Sequence, residues 1–442
     1  MSSAGTAGAG LLALALSCVP TSAASEPYEI RATWADDRDT LSPARLDFRF
    51  VDLDVHPRYG VVALGDRLIL RVRNDEPHVT LALESLWNDP ALAPTALALG
   101  GDRRALSLSG TTGLRPGVEA PATSNALLEE REGKWHSLAL PSISDAAWFF
   151  QDVISTPTDD VFAIVSNTGR LTTDPVDQHS GALPWLNKAF VTTTTGWREI
   201  TPSVPPMGRI LDACVTTSGE LVVVGRARSN TSEPEGGRLR GFASRFDPAD
   251  RRWTTLSIDD PAGDVVRWSV TNVACAEDGR IWISVDYILS ADRTSTTYFL
   301  EHAAVYAVEE ETTVAPLPIR APPSTADKPG FATITALAVH RNATWVAYST
   351  SEKRTHDLLR WEDGHWQAFP APAVPGVAQY AIRRIAFDDA GTGWAISNAF
   401  GGVARPENRG ILLRFDGERW RLQNWTWSVW RQRWFGLLGP LR

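Results

Sequence analysis

The chain has 442 residues, of which 43% are hydrophobic and 21% charged, the balance of a folded protein and not of a disordered one. Its formal net charge of −9 argues against nucleic acid as a partner, because a protein that neutralises phosphates presents a basic face. Eighteen tryptophans are a heavy load for this length, and we expect most of them at repeated positions.

Residues 1–24 are typical of a signal peptide. They carry no charged side chain, and an apolar run that ends at Val19 is followed by helix-breaking Pro20 and small residues. The run is too short to span a bilayer. We therefore expect export to the periplasm or the cell surface, with cleavage after Ala23 or Ala24. The segment around Cys18 resembles a bacterial lipoprotein box, so lipid attachment at Cys18 is the alternative.

Residues 25–47 lie between this segment and the first repeat. They predict either an extra strand that closes the repeats against the last one, or an ordered arm on the outside of the molecule.

Seven similar phrases follow, each a strand, a turn rich in Asp, Gly and Asn, and a second strand. The strands alternate apolar and polar residues and are rich in Val, Ile and aromatics, the pattern of β-hairpins. The second residue of the second strand is usually bulky. These aligned residues are Val62, Leu106, Phe162, Val222, Trp282, Trp345 and Trp394.

A second hairpin follows each of these, and in five repeats it carries a tryptophan. These five tryptophans stand 62, 56, 113 and 54 residues apart, so the gap of 113 spans two repeats with one marker lost. The aligned positions are His78, Trp135, Trp197, Trp253, Thr312, Trp366 and Trp420.

Two hairpins in each of seven repeats predict an all-β protein, a seven-bladed β-propeller of four-stranded antiparallel blades over residues 48–424. One such unit cannot bury both of its faces, whereas seven arranged radially pack on one another and close a ring. We expect the tryptophan of each blade to fill the wedge between neighbouring blades.

The second hairpins resemble those of kelch repeats, best in RFDPADRRWTTL over 245–256. The first hairpins, such as AEDGRIW over 276–282, are similar to those of Asp-box and regulator-type propellers of exported bacterial proteins. These motifs imply a propeller fold and carry no function with them, because enzymes and binding proteins share them.

Residues 425–442 form a Trp-rich tail without an acidic residue. Trp427, Trp430 and Trp434 recur at helical spacing. The tail predicts either a helical turn packed on the propeller, or an aromatic and basic contact for a membrane surface or a partner.

Two cysteines remain after removal of the signal segment, Cys214 and Cys275. They stand at the same place in two successive repeats and hence on neighbouring strands of the same layer. Facing sheets lie about 10 Å apart, whereas a disulfide needs Cα atoms within about 7 Å. The sequence therefore leaves two possibilities open, a disulfide or two buried free thiols.

No pattern in the sequence predicts catalysis, a metal site or a cofactor. The eight histidines are scattered without metal-ligand spacing, and most paired carboxylates stand in hairpin turns. A glycine-rich phosphate loop and a nucleophile elbow are both absent from the sequence.

The long connections between hairpins should gather at one end of the ring, where function is usually carried. The candidate binding contacts there are His179, Trp185, Arg293, Tyr298, Arg405 and Asn408. We expect a monomeric, non-catalytic binding or scaffold propeller whose partner is a protein or a glycan. The alternatives are a glycan-acting hydrolase or lyase, and a membrane-associated structural subunit of an envelope complex.

Overall fold

A computed structural model describes the strands and the turns beside them. The described residues are 28–29, 31–34, 49–56, 59–65, 68–73, 76–82, 92–100, 104–110, 125–131, 134–138, 148–158, 160–167, 187–193, 196–201, 208–228, 239–258, 265–289, 302–309, 312–313, 317–319, 332–350, 357–374, 377, 379–400 and 410–426. Among these residues no helix is long and apolar enough to cross a membrane. The expected signal segment 1–24, with Cys18, and the tail residues Trp427, Trp430 and Trp434 lie outside them.

Two short strands and three blades make up the first half of the chain. The two strands are β1 Tyr28–Glu29 and β2 Arg31–Trp34. Blade 1 contains β3 Phe50–His56, β4 Gly60–Gly65, β5 Leu68–Arg73 and β6 Glu76–Ala82. Blade 2 contains β7 Leu92–Leu99, β8 Arg104–Gly110, β9 Asn125–Arg131 and β10 Lys134–Leu138. Blade 3 contains β11 Trp148–Ser155, β12 Val161–Asn167, β13 Asn187–Thr193 and β14 Gly196–Glu199.

Four further blades make up the second half. Blade 4 contains β15 Gly208–Val215, β16 Leu221–Arg228, β17 Leu239–Asp247 and β18 Arg252–Leu256. Blade 5 contains β19 Val265–Cys275, β20 Ile281–Leu289, β21 His302–Glu309, β22 Thr312–Thr313 and β23 Leu317–Ile319. Blade 6 contains β24 Ala332–His340, β25 Ala343–Thr350, β26 Asp357–Glu362 and β27 His365–Pro370. Blade 7 contains β28 Gln379–Phe387, β29 Gly393–Phe400, β30 Gly410–Phe415 and β31 Trp420–Thr426.

The seven sheets form a closed ring, which confirms the predicted seven-bladed propeller. Each blade pairs its strands antiparallel in chain order, from an inner first strand outwards, except that β23 of blade 5 pairs with β21. The first strands of successive blades contact one another around the ring, and β28 of blade 7 contacts β3 of blade 1. The four strands of blade 1 and the four strands of blade 7 each come from one continuous segment, and β1 and β2 are added outside them.

Each of the seven blade interfaces has its own apolar core. The aligned residues of the second strands pack towards the following blade, as Trp394 of blade 7 packs with Phe50 of blade 1, except that Leu106 of blade 2 packs towards blade 1. Four tryptophans of the outer strands pack towards the preceding blade, as Trp253 of blade 4 packs with Phe162 of blade 3; they are Trp197, Trp253, Trp366 and Trp420. These four tryptophans therefore fill the wedges between blades, as the repeat pattern predicts.

The interface between blades 6 and 7 shows how the two series meet. Trp345 of blade 6 and Trp420 of blade 7 are both buried, and their ring centroids lie 5.9 Å apart in an edge-to-face arrangement. Phe369 and Phe415 contact the same ring of Trp345, with centroids 5.1 and 4.9 Å away. Such aromatic pairs stabilise the interface beyond the area that they bury.

Cys214 and Cys275 form a disulfide between the first strands of blades 4 and 5, with their Cα atoms 5.8 Å apart. The two cysteines do not occupy the same repeat position, because Cys214 pairs with Val222 whereas Ala274 pairs with the equivalent Trp282. Successive side chains of a strand point to opposite faces. The offset of one residue therefore turns Cys214 towards blade 5 and Cys275 towards blade 4, at the inner edge where blades converge.

The described part of the N-terminal arm lies on the outside of the ring. β1 pairs with β6, the outer strand of blade 1, and β2 pairs with β31, the outer strand of blade 7. β31 continues to Thr426, two residues into the segment expected to be a tail.

A charged cluster in the central channel as candidate functional site

The inner strand of every blade skips one residue in its pairing with the second strand, which marks a β-bulge at an equivalent place in each blade. In blade 5 this is the bulge between Val270 and Asn272, and a further shift lies between Val265 and Arg267. We call the residue after the bulge the ring position. The seven ring positions are Asp52, Ala96, Asp152, Asp212, Asn272, Ala336 and Arg384.

Arg384 of blade 7 extends across the channel and meets the carboxyl groups of three other blades. Its Nη1 atom lies 2.9 Å from Oδ1 of Asp212 in blade 4, and its Nε atom 3.3 Å from Oδ1 of Asp52 in blade 1. The Nη2 atom lies 3.8 Å from Oδ2 of Asp152 in blade 3. Guanidinium groups suit such a site because they present five donors in one plane. One side chain thus connects four blades.

The same carboxyl groups also connect neighbouring blades. Oδ2 of Asp52 accepts the backbone N–H of Leu97 at 2.9 Å, and Oδ2 of Asp212 accepts that of Val273 at 2.9 Å. Leu97 and Val273 each follow the ring position of the next blade, so the two bonds are equivalent. Hydrogen bonds to ionised groups are stronger than those between neutral groups. The cluster therefore fixes the spacing of the blades as well as the centre of the ring.

Burial shapes the ionisation of this cluster. It raises the pKa of Asp52, which the Arg384 charge and the Leu97 N–H in part oppose. The pKa of Asp152 is raised well above its usual range, again chiefly by burial and against the attraction of Arg384. Asp54, on the same strand as Asp52, has its pKa raised to about 7 by burial and by the Asp52 charge.

Arg384 keeps its charge in this setting. The attraction of Asp212 raises its pKa well above the usual value, and burial opposes that change. Its side chain is 37% exposed, whereas those of Asp52, Asp152 and Asp212 are 9%, 11% and 7% exposed. The Arg384 side chain is thus the most exposed member of the cluster, and the three carboxyl groups are nearly buried.

A second set of polar side chains connects the blades one layer further out. The side-chain amide of Asn398 in blade 7 accepts the N–H and donates to the C=O of Phe50, both at 2.8 Å. In the same way Asp286 of blade 5 accepts the N–H of Ile334 at 3.4 Å, and it also accepts the hydroxyl of Thr333 at 2.8 Å. Burial raises the pKa of Asp286 to about 7.

The contacts predicted from the sequence cannot be placed in this geometry. All six candidates lie outside the described residues, namely His179, Trp185, Arg293, Tyr298, Arg405 and Asn408. Within the described part of the chain, no group of three or more His, Cys, Asp or Glu residues could hold a metal ion.

The sequence reasoning missed the channel cluster, although a signal for it was present. Asp52, Asp152, Asp212 and Arg384 each stand ten residues before the bulky aligned residue of the same blade, which is Trp394 in the case of Arg384. When the seven repeats are aligned on the bulky residue, the column ten positions before it contains three aspartates and one arginine. Searches for residues adjacent in sequence do not find them, because the ring and not the local chain brings them together.

Comparisons with known proteins agree with the fold and extend no further. No family model matches the sequence, and no curated protein matches it. A structure of YCF48 bound to a D1 peptide is 14% identical, with a TM-score of 0.49, over 88% of this chain and 95% of that one. A polysaccharide lyase, an ulvan lyase, is 11% identical with a TM-score of 0.45, over 74% of this chain and 79% of that one.

A third structure similar to this chain is that of a puromycin hydrolase complexed with PGG. It is 14% identical with a TM-score of 0.50, and the match covers 90% of this chain but 57% of the hydrolase. At 14% identity this likeness agrees with the fold alone. Function therefore has to be argued from the residues.

Proposed function

We propose that this protein is an exported, non-catalytic binding propeller that presents the long connections at one end of its ring to a protein or glycan partner. The observation that carries the proposal is the unequal length of the connections at the two ends. The turns within hairpins have two to five residues. The connections between the second and third strands are much longer in two blades, where they comprise residues 111–124 in blade 2 and residues 168–186 in blade 3. Since strands alternate in direction, each kind of connection belongs to one end.

The channel cluster supports the same proposal. The cation of Arg384 is engaged by carboxyl groups of three blades, and two of those carboxyl groups also accept backbone N–H groups of a neighbouring blade. Groups held in this way serve the rigidity of the ring. A rigid ring in turn fixes the relative positions of the strand ends from which the connections leave, which favours binding.

Export is supported by the signal pattern of residues 1–24 together with the Cys214–Cys275 disulfide, because disulfides persist in oxidising compartments. Lipid attachment at Cys18 and the kelch-like character of the second hairpins remain predictions. We expect the mature chain to act as a monomer.

Alanine pairs in the long connections test the proposal. The pairs are His179 with Trp185, Arg293 with Tyr298, and Arg405 with Asn408. The matched control replaces Asp278, Asp389 and Glu418 in the short turns at the opposite end. Each variant is used to capture partners from an envelope extract and to bind a glycan panel. At least one pair should weaken binding with little change in melting, since surface substitutions rarely shift stability by more than about 0.5 kcal/mol. Loss of binding in the control set alone would contradict the proposal.

A glycan-acting enzyme is the second candidate, and the convergence of Arg384 with carboxyl groups of unequal environment favours it. Such enzymes use one protonated and one ionised carboxyl group. The raised pKa of Asp152 would suit the acid. Turnover of a polysaccharide by the wild type that disappears in Asp152→Asn, with melting unchanged, would select this candidate over the first.

The membrane-associated subunit is tested through the tail. A chain ending at Thr426 keeps the whole of β31 and lacks Trp427, Trp430 and Trp434. If the tail packs on the propeller, as we propose, this truncation lowers the melting temperature. Unchanged melting with loss of sedimentation on anionic vesicles would instead assign the tail to a membrane surface.

A further inference from the structure

The N-terminal strands join the two blades at which the ring closes. Tyr28 and Glu29 pair with Val79 and His78 on the outer strand of blade 1. Only Ile30 separates them from β2, whose residues 31–34 pair with 423–426 on the outer strand of blade 7. One short segment is therefore hydrogen-bonded to both sides of the contact between blades 7 and 1, which we call the closing seam.

The closing seam is the one place where neighbouring blades are not consecutive in the chain. Blade 1 comes from residues 50–82 and blade 7 from residues 379–426, so the seam depends on noncovalent contacts. At the channel Arg384 pairs with Asp52, and further out Asn398 binds both backbone groups of Phe50. The seam between blades 4 and 5, by contrast, has a disulfide. The outer rim of the closing seam is held by β1 and β2.

We infer that residues 28–34 act as a clasp that holds the ring closed from outside. Because β1 is paired with blade 1 and β2 with blade 7, separation of the two blades requires a break of one of these backbone ladders in addition to the side-chain contacts. The clasp also covers two sheet edges that would otherwise be open to pairing with another chain. Loss of this segment, by proteolysis or by cleavage further along the chain than Ala24, would loosen the closing seam and leave the other seams as they are.

A cysteine pair tests the position of the clasp in the full chain. Thr33 and Asn424 are directly opposite each other in the antiparallel pair, within the range of Cα distances that a disulfide spans. The double variant Thr33→Cys, Asn424→Cys should form a cross-link within one chain under oxidation. A control with Thr33→Cys and Thr255→Cys, on the outer strand of blade 4, should not. Failure to cross-link, or cross-links only between chains, would overturn the inference.

Hydrogen exchange tests what the clasp does. The amide of Phe50 bonds Asn398 across the closing seam, and the amide of Ile334 bonds Asp286 in the equivalent place between blades 5 and 6. Deletion of residues 25–34 should accelerate exchange at Phe50 by tenfold or more and leave Ile334 unchanged. Equal rates at Phe50 with and without the deletion, or equal acceleration at both amides, would contradict a clasp at this seam.

Proline substitutions provide a milder perturbation in case the deletion impairs folding. Successive N–H groups of a strand point to opposite sides, so one of Ala32→Pro and Thr33→Pro removes a donor that faces β31. One of the two should reproduce the faster exchange at Phe50. Asp36→Pro, placed after the end of β2, is the control and should not.

Discussion

At the scale of single residues, the molecule uses buried polar groups to set the geometry between blades. Arg384, Asp52 and Asp212 connect blades across and around the channel, and Asn398 and Asp286 do so further out. Each of these groups has hydrogen-bonding partners, and removal of one partner of a buried pair costs more than the pair itself contributes. Buried polar residues therefore set the spacing between blades, although the cores of the ring are apolar.

Asp286 gives a prediction about pH. Because burial raises its pKa to about 7, the protonated form is favoured in the folded protein, and the stability that it contributes at low pH is lost as the pH rises from about 4 through 7. The free energy of unfolding of Asp286→Asn, relative to that of the wild type, should therefore rise by about 2–4 kcal/mol between pH 4 and pH 8, as measured by denaturant unfolding. Asp278→Asn, in an exposed turn, is the control. A difference between Asp286→Asn and the wild type that does not change with pH would refute the ionisation that we assign.

At the scale of elements, the outer strands depend on the tryptophans that the repeat pattern singles out. Trp420 is 3% exposed and packs against blade 6, whereas Trp366 is only partly buried in its own wedge. The pattern thus locates the residue in both blades but does not tell how far each is buried.

Trp420→Ala should destabilise the protein by about 3–5 kcal/mol, because it empties a closed aromatic cluster. Trp366→Ala, as the matched change in the neighbouring blade, should cost less. Chemical denaturation of both variants measures the difference. If Trp366→Ala proved the more damaging, our reading of the two wedges would be wrong.

Much of the element order could be predicted from the sequence. The two marker series fall on the second and fourth strands, and they identify the seven blades because a wedge between sheets repeatedly needs a bulky residue. The alignment errs by one residue at Leu106, since Ala105 pairs with Ala98 in the register that the other blades follow. The turn of that hairpin, residues 100–103, is short, so an alignment made on the turn places the aligned residue one position too far along the strand.

Other features could not be predicted, for physical reasons. The offset that lets Cys214 and Cys275 face each other is a single residue, which is smaller than the uncertainty in aligning two turns. The channel cluster joins residues up to 332 positions apart, from Asp52 to Arg384, and only a closed ring brings them together. The pairing of the arm with two different blades likewise follows from closure and not from its own sequence.

At the scale of the whole molecule, the ring combines a disulfide between blades 4 and 5 with an external clasp between blades 7 and 1. Reduction of the disulfide should lower the free energy of unfolding by about 2–4 kcal/mol, since the bond closes a loop of 61 residues. Melting with and without reductant measures this, and Cys214→Ser with Cys275→Ser should reproduce the reduced protein. If the reductant lowered the melting temperature of the double variant as much as that of the wild type, the loss of stability would not come from this disulfide.

We propose that the charges of the channel hold the ring and that the long connections bind the partner. The most direct measurement is the unfolding free energy of Arg384→Met between pH 5 and pH 8, with Arg383→Met, its exposed neighbour, as the control. Loss of the cation leaves buried carboxyl groups unpaired, and we expect a cost of about 2–3 kcal/mol at pH 8, below the range for fully buried pairs because the arginine is partly exposed. This loss of stability should become smaller towards pH 5, because burial raises the pKa of Asp52 and Asp152, so that these carboxyl groups become protonated and lose their charge as the pH falls.

Arg383→Met should behave like the wild type. An Arg384→Met protein as stable as the wild type at pH 8, but unable to capture its partner or to act on a glycan, would contradict the account and make the channel the working site.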